Sequence, residues 1–393
     1  MSLLLLKNAQ LYAPEFMGTQ SVLIAGGRII AIDANIRLSS SVQFEEFDCE
    51  QRILCPGFVD TLTHVTGGGG EGGFATRTPE MQLSDAILGG VTTVTGALGT
   101  DGVCRTHKEL LAKVKALKEE GLSAYFYTGN YHYPTVTLTG SVEQDIMLID
   151  ECIGVGEVAI ADHRGSQMSW QELARLASQA RVAGMCSNKA GIVSIHTGAG
   201  DEMLAPLFDV AYNSSIPLNA FYPTHINRNA ALLDQGIDFN LQGGTIDFTA
   251  STTPEILAGG EVLCAEALKM ALEAGADENR ITFSTDGHAS LPVFNAQGEL
   301  TSLKCGSMSS LHNQLITAVN ELDISLTTAL KTITANPARI LKLTGKGNVT
   351  VNADADLLLL DEKTLQLNAV LAKGQWMMQQ GTLLRRGTFE KAE

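Results

Sequence analysis

Histidines and carboxylates follow several of the apolar segments along the chain, and imidazole with carboxylate is the ligand chemistry of zinc and related transition metals. Most of these polar residues stand at or just beyond the end of a segment with strand character, and Glu157 stands at the start of one. The residues are Asp60 and His64, Tyr131, Glu157 with His163 and Arg164, His196, His225 with Arg228, and Asp286. A bound divalent metal lowers the pKa of a water ligand to about 7 and polarises carbonyl groups. The residue types therefore indicate a metal-dependent hydrolase.

The segments that must position these residues alternate between strand and helix character. Amphipathic patterns predict helices over 108–120, 170–183, 260–274 and 308–322. The predicted strands are 57–60, 92–96, 124–127, 157–161, 191–196, 217–222, 244–249 and 281–284. Eight strand–helix repeats over about 290 residues fit an α/β fold of the (β/α)8 TIM-like barrel type, whose active site lies at the C-terminal ends of the strands. A doubly wound sheet is the alternative, but it would require a glycine-rich phosphate turn after its first strand.

Both ends of the chain have β character instead. Residues 3–55 read as short strands in which apolar and polar positions partly alternate, and residues 349–382 return to this pattern. Two β-rich ends that flank a barrel pair most simply with each other. We therefore predict a small β-sandwich domain made of residues 1–55 and 349–393, and a metal-dependent hydrolase barrel made of residues 56–348.

The composition excludes several other classes of protein. Apolar residues make up 45% of the chain and charged residues 18%, which is typical of a folded protein and not of a disordered one. The net charge of −16 disfavours nucleic acid and anionic membranes as partners. The seven cysteines are scattered and form no C-x-x-C pair, and the N-terminus has no secretory pattern. These features favour a cytoplasmic protein.

The motifs resemble those of the amidohydrolase superfamily, and within it those of the isoaspartyl (β-aspartyl) dipeptidases. The general signals are Ile53-Leu-Cys-Pro-Gly-Phe-Val-Asp60, Thr334-Ala-Asn-Pro-Ala-Arg-Ile-Leu341 and Asp354-Ala-Asp-Leu-Leu-Leu-Leu-Asp361. The narrower signals are Gly67-Gly-Gly-Gly-Glu-Gly-Gly73, Thr76-Arg-Thr-Pro-Glu80, Leu98-Gly-Thr-Asp101, Thr128-Gly-Asn-Tyr-His132, Asp162-His-Arg164, Pro223-Thr-His-Ile-Asn-Arg-Asn229 and Ser284-Thr-Asp-Gly287. The resemblance covers essentially the whole chain. It implies a barrel that uses one or two zinc ions per subunit to hydrolyse the isopeptide bond of β-aspartyl dipeptides, in a homo-oligomer that is an octamer by family resemblance.

The resemblance also implies a role for each matching residue. The metal ligands would be His64, Glu157, His196, His225 and Asp286. Asp286 would also be the acid/base that works with a metal-activated hydroxide, and Tyr131 would polarise the scissile carbonyl. The substrate-binding residues would be Glu71 for the α-ammonium, Gly69, Thr100 and Ser290 for the α-carboxylate of the isoaspartyl residue, and Arg164 and Arg228 for the carboxylate of the departing amino acid.

Two positions depart from the superfamily pattern. The first barrel strand of the superfamily normally ends in His-x-His, and here it reads Leu62-Thr63-His64, so one metal ligand is lost. The bridging group is normally a carboxylated lysine on the fourth strand, and the matching residue here is Glu157. A glutamate can bridge two metals without carbon dioxide, whereas the alternative interpretation is a strand glutamate in a salt bridge. With His64 alone from the first strand, we expect the inner metal site to be the weaker one.

Three functions stay open on the sequence alone. The first is a metal-dependent isoaspartyl dipeptidase. The second is another amidohydrolase that acts on a cyclic amide, an N-acyl amino acid or an aminated base, although such a substrate would not need the charges of Glu71, Arg164 and Arg228. The third is a catalytically weakened or silent homologue, which Leu62 favours and the retention of Asp286 disfavours. The ligand types suit zinc, and cobalt, manganese or iron would fit similar sites.

Overall fold

The computed structural model describes residues 3–295, 297 and 299–391 of the chain. The N-terminal strands are β1 (Leu3–Tyr12), β2 (Phe16–Ala25), β3 (Arg28–Asp33), β4 (Phe44–Asp48) and β5 (Ile53–Pro56). The next eight strands alternate with helices and are β6 (Phe58–Thr63), β7 (Val91–Gly96), β8 (Ser123–Thr128), β9 (Cys152–Ile160), β10 (Ile192–Thr197), β11 (Phe221–Thr224), β12 (Ile246–Thr249) and β13 (Ile281–Ser284). The later strands are β14 (Ser290–Phe294), β15 (Leu300–Cys305), β16 (Leu357–Leu360), β17 (Leu367–Ala372), β18 (Gln375–Gln379) and β19 (Thr382–Leu383).

The helices lie mainly between the barrel strands. They are α1 (Leu83–Leu88), α2 (His107–Glu119), α3 (Val142–Leu148), α4 (Trp170–Ser187), α5 (Ala205–Asn213), α6 (Ala230–Leu241), α7 (Pro254–Ala258), α8 (Cys264–Glu273), α9 (Ser310–Asn320), α10 (Leu326–Ile333) and α11 (Ala335–Ile340). The two longest begin at capping boxes, Thr106 with Glu109 and Ser169 with Glu172, which satisfy backbone N–H groups of the first turn. None of the helices in the described part of the chain is long and apolar enough to cross a bilayer.

The eight central strands close into a barrel. Strands β6 to β11 pair in chain order, each parallel to the next, and β12 pairs in parallel with β13. Strand β11 contacts β12, and a parallel bridge between Thr63 and Gly287 joins the end of β6 to the segment after β13. All strands therefore direct their C-terminal ends to one rim. The predicted TIM-like barrel is confirmed, with each predicted strand present.

One strand begins earlier than the sequence predicts. The expected strand 157–161 is the second half of β9, which starts at Cys152. Gly154 and Gly156 in its first half interrupt the apolar pattern, so the sequence does not predict a strand there. Their position has a packing reason, because a Cβ at Gly154 would lie 2.7 Å from the carbonyl oxygen of Ile192 on β10, and one at Gly156 would lie 2.6 Å from that of Ser194. The glycines therefore allow β9 and β10 to approach closely.

The two ends of the chain form a second sheet. It has nine strands in the order β19-β18-β17-β16-β5-β1-β2-β3, and β4 also pairs with β1. It has an apolar cluster of its own, which includes Leu6, Leu11, Leu54, Leu359 and Leu371. The predicted combination of a barrel with β structure from both termini is confirmed. The domain limits stay a prediction, and their outer ends at residues 1, 2, 392 and 393 lie outside the described residues.

A buried ion pair network links this sheet to the barrel. The Nζ atom of Lys346 lies 2.5 Å from an oxygen of Asp356 and 2.8 Å from one of Asp354, and the lysine side chain is only 2% exposed. The backbone carbonyl of Asp356 accepts a hydrogen bond from Gly57, directly before β6, and its side chain accepts one from the N–H of Lys373. The Asp354–Asp361 motif therefore joins the two sheets through these contacts.

We expect Lys346→Met to lower the free energy of unfolding by roughly 3–5 kcal/mol, because it leaves two carboxylates without their buried cation. The matched control is Lys7→Met, which removes an ion pair with Glu46 whose side chains are 37% and 47% exposed. That change should cost about 1 kcal/mol or less. Thermal and urea unfolding of both variants measure the difference. Equal, small losses would contradict a stabilising link at Lys346.

Candidate active site

A carboxylate and two imidazoles converge at the C-terminal rim of the barrel. Oε1 of Glu157 on β9 lies 3.1 Å from Nδ1 of His196 on β10 and 3.1 Å from Nε2 of His225, just after β11. All three side chains are buried, and their potential ligand atoms lie within 4.8 Å of one another. Such a set of donors, on three neighbouring strands, is suited to a divalent transition metal.

Groups behind the two imidazoles orient their rings. Nε2 of His196 lies 3.0 Å from Oδ2 of Asp162, and Nδ1 of His225 lies 2.6 Å from the hydroxyl of Thr249. With a proton on Nε2 shared with Asp162, the Nδ1 lone pair of His196 faces the cluster. This arrangement of carboxylate, histidine and cavity is the one that fixes the tautomer of metal-binding histidines.

The other oxygen of Glu157 faces a second pair of groups. Nε2 of His64, directly after β6, lies 3.8 Å from Oε2 of Glu157 and 3.2 Å from Oδ1 of Asp286. Asp286 and His225 both adopt left-handed backbone conformations, with φ of 50° and 62°. Non-glycine residues in this region are uncommon, and they are concentrated at functional sites.

The protonation states suit metal binding. Burial would raise the pKa of Glu157, but hydrogen bonds from His196 and His225 lower it below its ordinary value, so the carboxyl is ionised. Burial lowers the pKa of His225 to about 4, so its imidazole is neutral at pH 7. Burial would also raise the pKa of Asp162, but hydrogen bonds from His196 and Arg164 hold it well below the usual range. An ionised carboxylate and a neutral imidazole are the ligand forms that metals require.

Apart from the nearby Nε2 of His64, two carboxylate oxygens of the cluster have no hydrogen-bond partner among the described residues. They are Oε2 of Glu157 and Oδ1 of Asp286, and both are buried. A buried carboxylate oxygen without a donor is costly unless a cation compensates its charge. The donor set therefore fits a divalent metal. Glu157 also divides it into two parts, with both His196 and His225 on the Oε1 side and one imidazole, His64, on the Oε2 side.

Leu62 stands at the sequence position of the first histidine in the His-x-His pair of the superfamily. Its side chain is 2% exposed and packs in the apolar interior of the barrel with Tyr127 and Tyr222. Leucine offers no ligand atom, so the Oε2 side of the cluster has one imidazole and the Oε1 side has two. The weaker inner site stays a prediction.

Tyr131 lies beside the cluster on the loop after β8. Its hydroxyl is 2.7 Å from Nδ1 of His196, and the guanidinium carbon of Arg164 lies 5.5 Å from the centre of its ring. Burial raises the pKa of Tyr131 well above its ordinary value, so the phenol keeps its proton at neutral pH. The side chain is therefore a hydrogen-bond donor directed at the edge of the cluster.

A second polar group centres on Glu71. Its Oε1 accepts hydrogen bonds from Ser290 (2.9 Å), Thr100 (3.2 Å) and Arg164 (3.3 Å), while Oε2 is buried without a partner among the described residues. Arg164 also donates two hydrogen bonds to Asp162, the residue that supports His196. We call Glu71, Thr100, Ser290 and Arg164 the Glu71 group, and Glu157, His196, His225, His64 and Asp286 the metal-type cluster. The two are thus connected through Arg164 and Asp162.

The glycine-rich loop that carries Glu71 is held by buried backbone contacts. Arg105 donates to the carbonyls of Thr66, Gly68 and Thr78. Only glycine fits Gly69, which has a φ of 76° and whose Cβ would lie 2.8 Å from a backbone oxygen. The loop therefore needs its glycines to form a compact wall at this place.

Members of both groups line one cavity of about 660 Å³, the size of a small-molecule site. Tyr131, Gly69 and Arg228 also line it, and Nε of Arg228 donates a hydrogen bond to the carbonyl of Thr197. Two predicted site residues, Glu157 and Glu71, are not among the lining residues, but both are hydrogen-bonded to side chains that are. His163, next to Arg164, has an exposed side chain and is not part of the metal-type cluster.

The sequence analysis gave no role to two residues that organise the site, Asp162 and Asp60. Asp162 appears there only within a motif, yet it supports both His196 and Arg164. Asp60 accepts hydrogen bonds from the N–H groups of Leu62 and Thr285 and from the hydroxyl of Thr285. It therefore ties β6 to β13 beneath His64 and Asp286. The signal for both was present, since each lies within a motif that the resemblance used.

The chain belongs to the amidohydrolase family, whose model matches residues 53–378. It is similar to the β-aspartyl dipeptidase of Fervidobacterium islandicum AW-1, solved in complex with β-Asp-Leu, with 41% identity, a TM-score of 0.93 and coverage of 99% of each chain. It is also 23% identical to a dihydroorotase of Lactiplantibacillus plantarum over 94% of this chain and 92% of that protein. A dihydropyrimidinase structure from Brevibacillus agri NCHU1002 shares the fold, with 14% identity, a TM-score of 0.69 and coverage of 98% of this chain and 97% of that one.

These comparisons confirm the resemblance to the amidohydrolases and to the β-aspartyl dipeptidases among them. They also confirm that the chain is a hydrolase. The roles of the individual site residues stay predictions.

Loss of a residue that only orients a metal ligand typically weakens metal binding by ~10–100-fold. We expect Glu157→Gln to weaken zinc binding by more than this, because the change removes the negative charge at the centre of the cluster. Competition with a chromophoric chelator measures the affinity. The control is Glu202→Gln, a carboxylate that lines the same cavity outside the cluster and should leave the affinity unchanged. An unaltered affinity in the Glu157 variant would argue for a structural salt bridge at this position.

Proposed function

We propose that the protein hydrolyses the isopeptide bond of β-aspartyl dipeptides with the help of bound zinc. The observation that carries the proposal is the Glu71 group, in which two hydroxyls and an arginine line the same cavity as the metal-type cluster and all three donate hydrogen bonds to the Glu71 carboxylate. Such a charge set suits a zwitterionic substrate, whereas an uncharged cyclic amide would leave it without partners. The similarity to a β-aspartyl dipeptidase over 99% of the chain supports the same activity.

The N-terminal residue of the substrate would bind at the Glu71 group. The free Oε2 of Glu71 would accept the α-ammonium, and the hydroxyls of Thr100 and Ser290 with the backbone of Gly69 would bind the α-carboxylate. This arrangement requires a free N-terminus with both charges on the same carbon. Its β-carbonyl would then point towards Tyr131 and the cluster.

The departing amino acid would bind at the other end of the cavity. Arg164 and Arg228 would hold its carboxylate, and bidentate pairing with a guanidinium fixes the orientation of such a group. Arg164 already pairs with Glu71, so binding of a dipeptide between them would replace a contact within the protein by contacts to both ends of the substrate.

The chemical step depends on Tyr131 and Asp286. Bound zinc would lower the pKa of a water molecule and polarise the scissile carbonyl. Tyr131 would donate a hydrogen bond to the carbonyl oxygen as negative charge develops there. Oδ1 of Asp286 would take one proton from the attacking water and pass it to the leaving nitrogen, so that a C–O bond forms, the C–N bond breaks and no net proton is consumed within the site.

Zinc, a homo-oligomeric assembly such as an octamer, and a cytoplasmic location belong to the same proposal. The imidazoles and carboxylates of the cluster support zinc. The net charge of −16 still disfavours nucleic acid or anionic membranes as partners.

The decisive assay compares β-aspartyl-leucine, α-aspartyl-leucine and dihydroorotate as substrates of the zinc-loaded protein. We expect hydrolysis of the β isomer alone, because binding of both the α-ammonium and the α-carboxylate at the Glu71 group leaves only a β-carbonyl available for cleavage. Tyr131→Phe should lower kcat by about 10²–10³, the usual cost of one donor to an oxyanion. The exposed Tyr212→Phe is the control. Turnover of dihydroorotate alone would favour a cyclic amide hydrolase, and no turnover in folded protein would favour a silent homologue.

The asymmetry of the cluster gives a separate prediction for metal content. We expect the wild-type protein to bind one zinc ion tightly and a second one weakly, because Leu62 supplies no ligand on the Oε2 side of Glu157. Leu62→His should strengthen the second site at least ~10-fold, and Leu62→Met, which keeps the apolar volume, should not. Zinc titration by calorimetry counts the sites. Two equal tight sites in the wild-type protein would contradict the prediction.

A further inference from the structure

The cavity wall beyond Arg228 carries a carboxylate that the proposed chemistry does not use. Glu261 lines the cavity on the segment between α7 and α8, together with Ile256 of α7. Two other carboxylates that line the cavity, Asp286 and Asp162, act in or behind the metal-type cluster, and Glu202 has no assigned role. Glu261 instead lies near Arg228, at the end of the cavity where the departing amino acid would bind.

The segment that carries Glu261 is fixed relative to Arg228. Asn227, the neighbour of Arg228, donates to the carbonyl of Val262 (2.9 Å), and its own carbonyl accepts from the N–H of Val262 (2.9 Å). The side chain of Asn227 also bonds both backbone groups of Thr249 at the end of β12. Glu261 and Arg228 are therefore held on adjacent, rigidly connected pieces of backbone.

The carboxylate of Glu261 is incompletely satisfied. Its Oε1 is buried and has no hydrogen-bond partner among the described residues. Burial raises its pKa, while a hydrogen bond from Thr252 and the positive charge of Arg228 oppose this shift. When a substrate carboxylate binds Arg228, the positive charge of Arg228 is divided between that carboxylate and Glu261. A second cation next to Glu261 would then balance its charge.

We propose that Glu261 selects the second residue of the dipeptide and favours a basic side chain, such as that of lysine or arginine. This inference rests on the proposed function and names the substrate class within it. A long cationic side chain at this place would supply the donor that Oε1 lacks, while its carboxylate takes Arg228. An acidic side chain would meet the charge of Glu261, and an apolar one would leave Oε1 unpaired.

The test compares β-aspartyl-lysine with β-aspartyl-norleucine, whose side chain has nearly the same length without the ammonium. We expect kcat/KM of the zinc-loaded wild-type protein to be at least 10-fold higher for the lysine dipeptide. Glu261→Gln should reduce this ratio to within about 2-fold of unity. Glu255→Gln is the matched control, because this residue lies on α7 and is exposed, and it should keep the wild-type ratio.

The ratio separates selection from a merely structural role. If Glu261 only positions Arg228, both dipeptides will lose the same factor in Glu261→Gln and the ratio will not change, which would overturn the inference. A wild-type ratio near unity with rapid cleavage of both dipeptides would overturn it as well, while leaving the proposed dipeptidase activity intact.

Binding of the free amino acids tests the inference without turnover. Calorimetry of the zinc-loaded protein should give a Kd at least 10-fold lower for lysine than for norleucine, and Glu261→Gln should remove the difference. If no β-aspartyl dipeptide is cleaved but lysine still binds more tightly than norleucine, the proposed function is refuted. A basic amino acid would then remain the ligand at Glu261. Equal binding of the two amino acids would reject the selection itself.

Discussion

The buried, ionised carboxylate of Glu157 imposes the main constraint on this barrel. One of its oxygens faces two imidazoles, and the other has no donor among the described residues. A charge in that position is tolerable only if neighbouring strands deliver compensating groups to one point. The closed parallel barrel does this, because β9, β10 and β11 end side by side at the same rim. Asp162 and Thr249 then fix the rings from behind, so the cluster is formed before any ligand arrives.

Charge also organises the substrate end of the cavity. The chain has a net charge of −16, and the cavity contains several carboxylates, yet Arg164 and Arg228 give it local positive charge. Arg164 bonds both Glu71 and Asp162, so it couples the substrate-binding group to the residue that orients His196. A ligand that separates Arg164 from Glu71 would therefore act on the geometry of the cluster through Asp162, by one continuous set of hydrogen bonds.

The sequence predicts much of this arrangement because the barrel converts linear spacing into position. A histidine that follows a parallel strand must lie at the rim, so His196 and His225 could be placed without any coordinates. The strand pattern failed in the first half of β9, where Gly154 and Gly156 replace apolar side chains to let β10 approach. The sequence pattern of apolar residues within one strand does not reveal that the neighbouring strand needs glycine there for close packing.

Residues on the loops of the cavity could not be predicted from the sequence for a related reason. Nothing in the sequence around Glu261 marks it as part of the cavity, because it lies on a connecting segment whose path depends on the contacts of Asn227. Strand-end residues are placed by the fold, whereas loop residues are placed by individual hydrogen bonds. The chemistry of the cluster could therefore be read from the strands. Selection among substrates depends on loops, where homologues vary most readily, and this is why a shared barrel supports different activities.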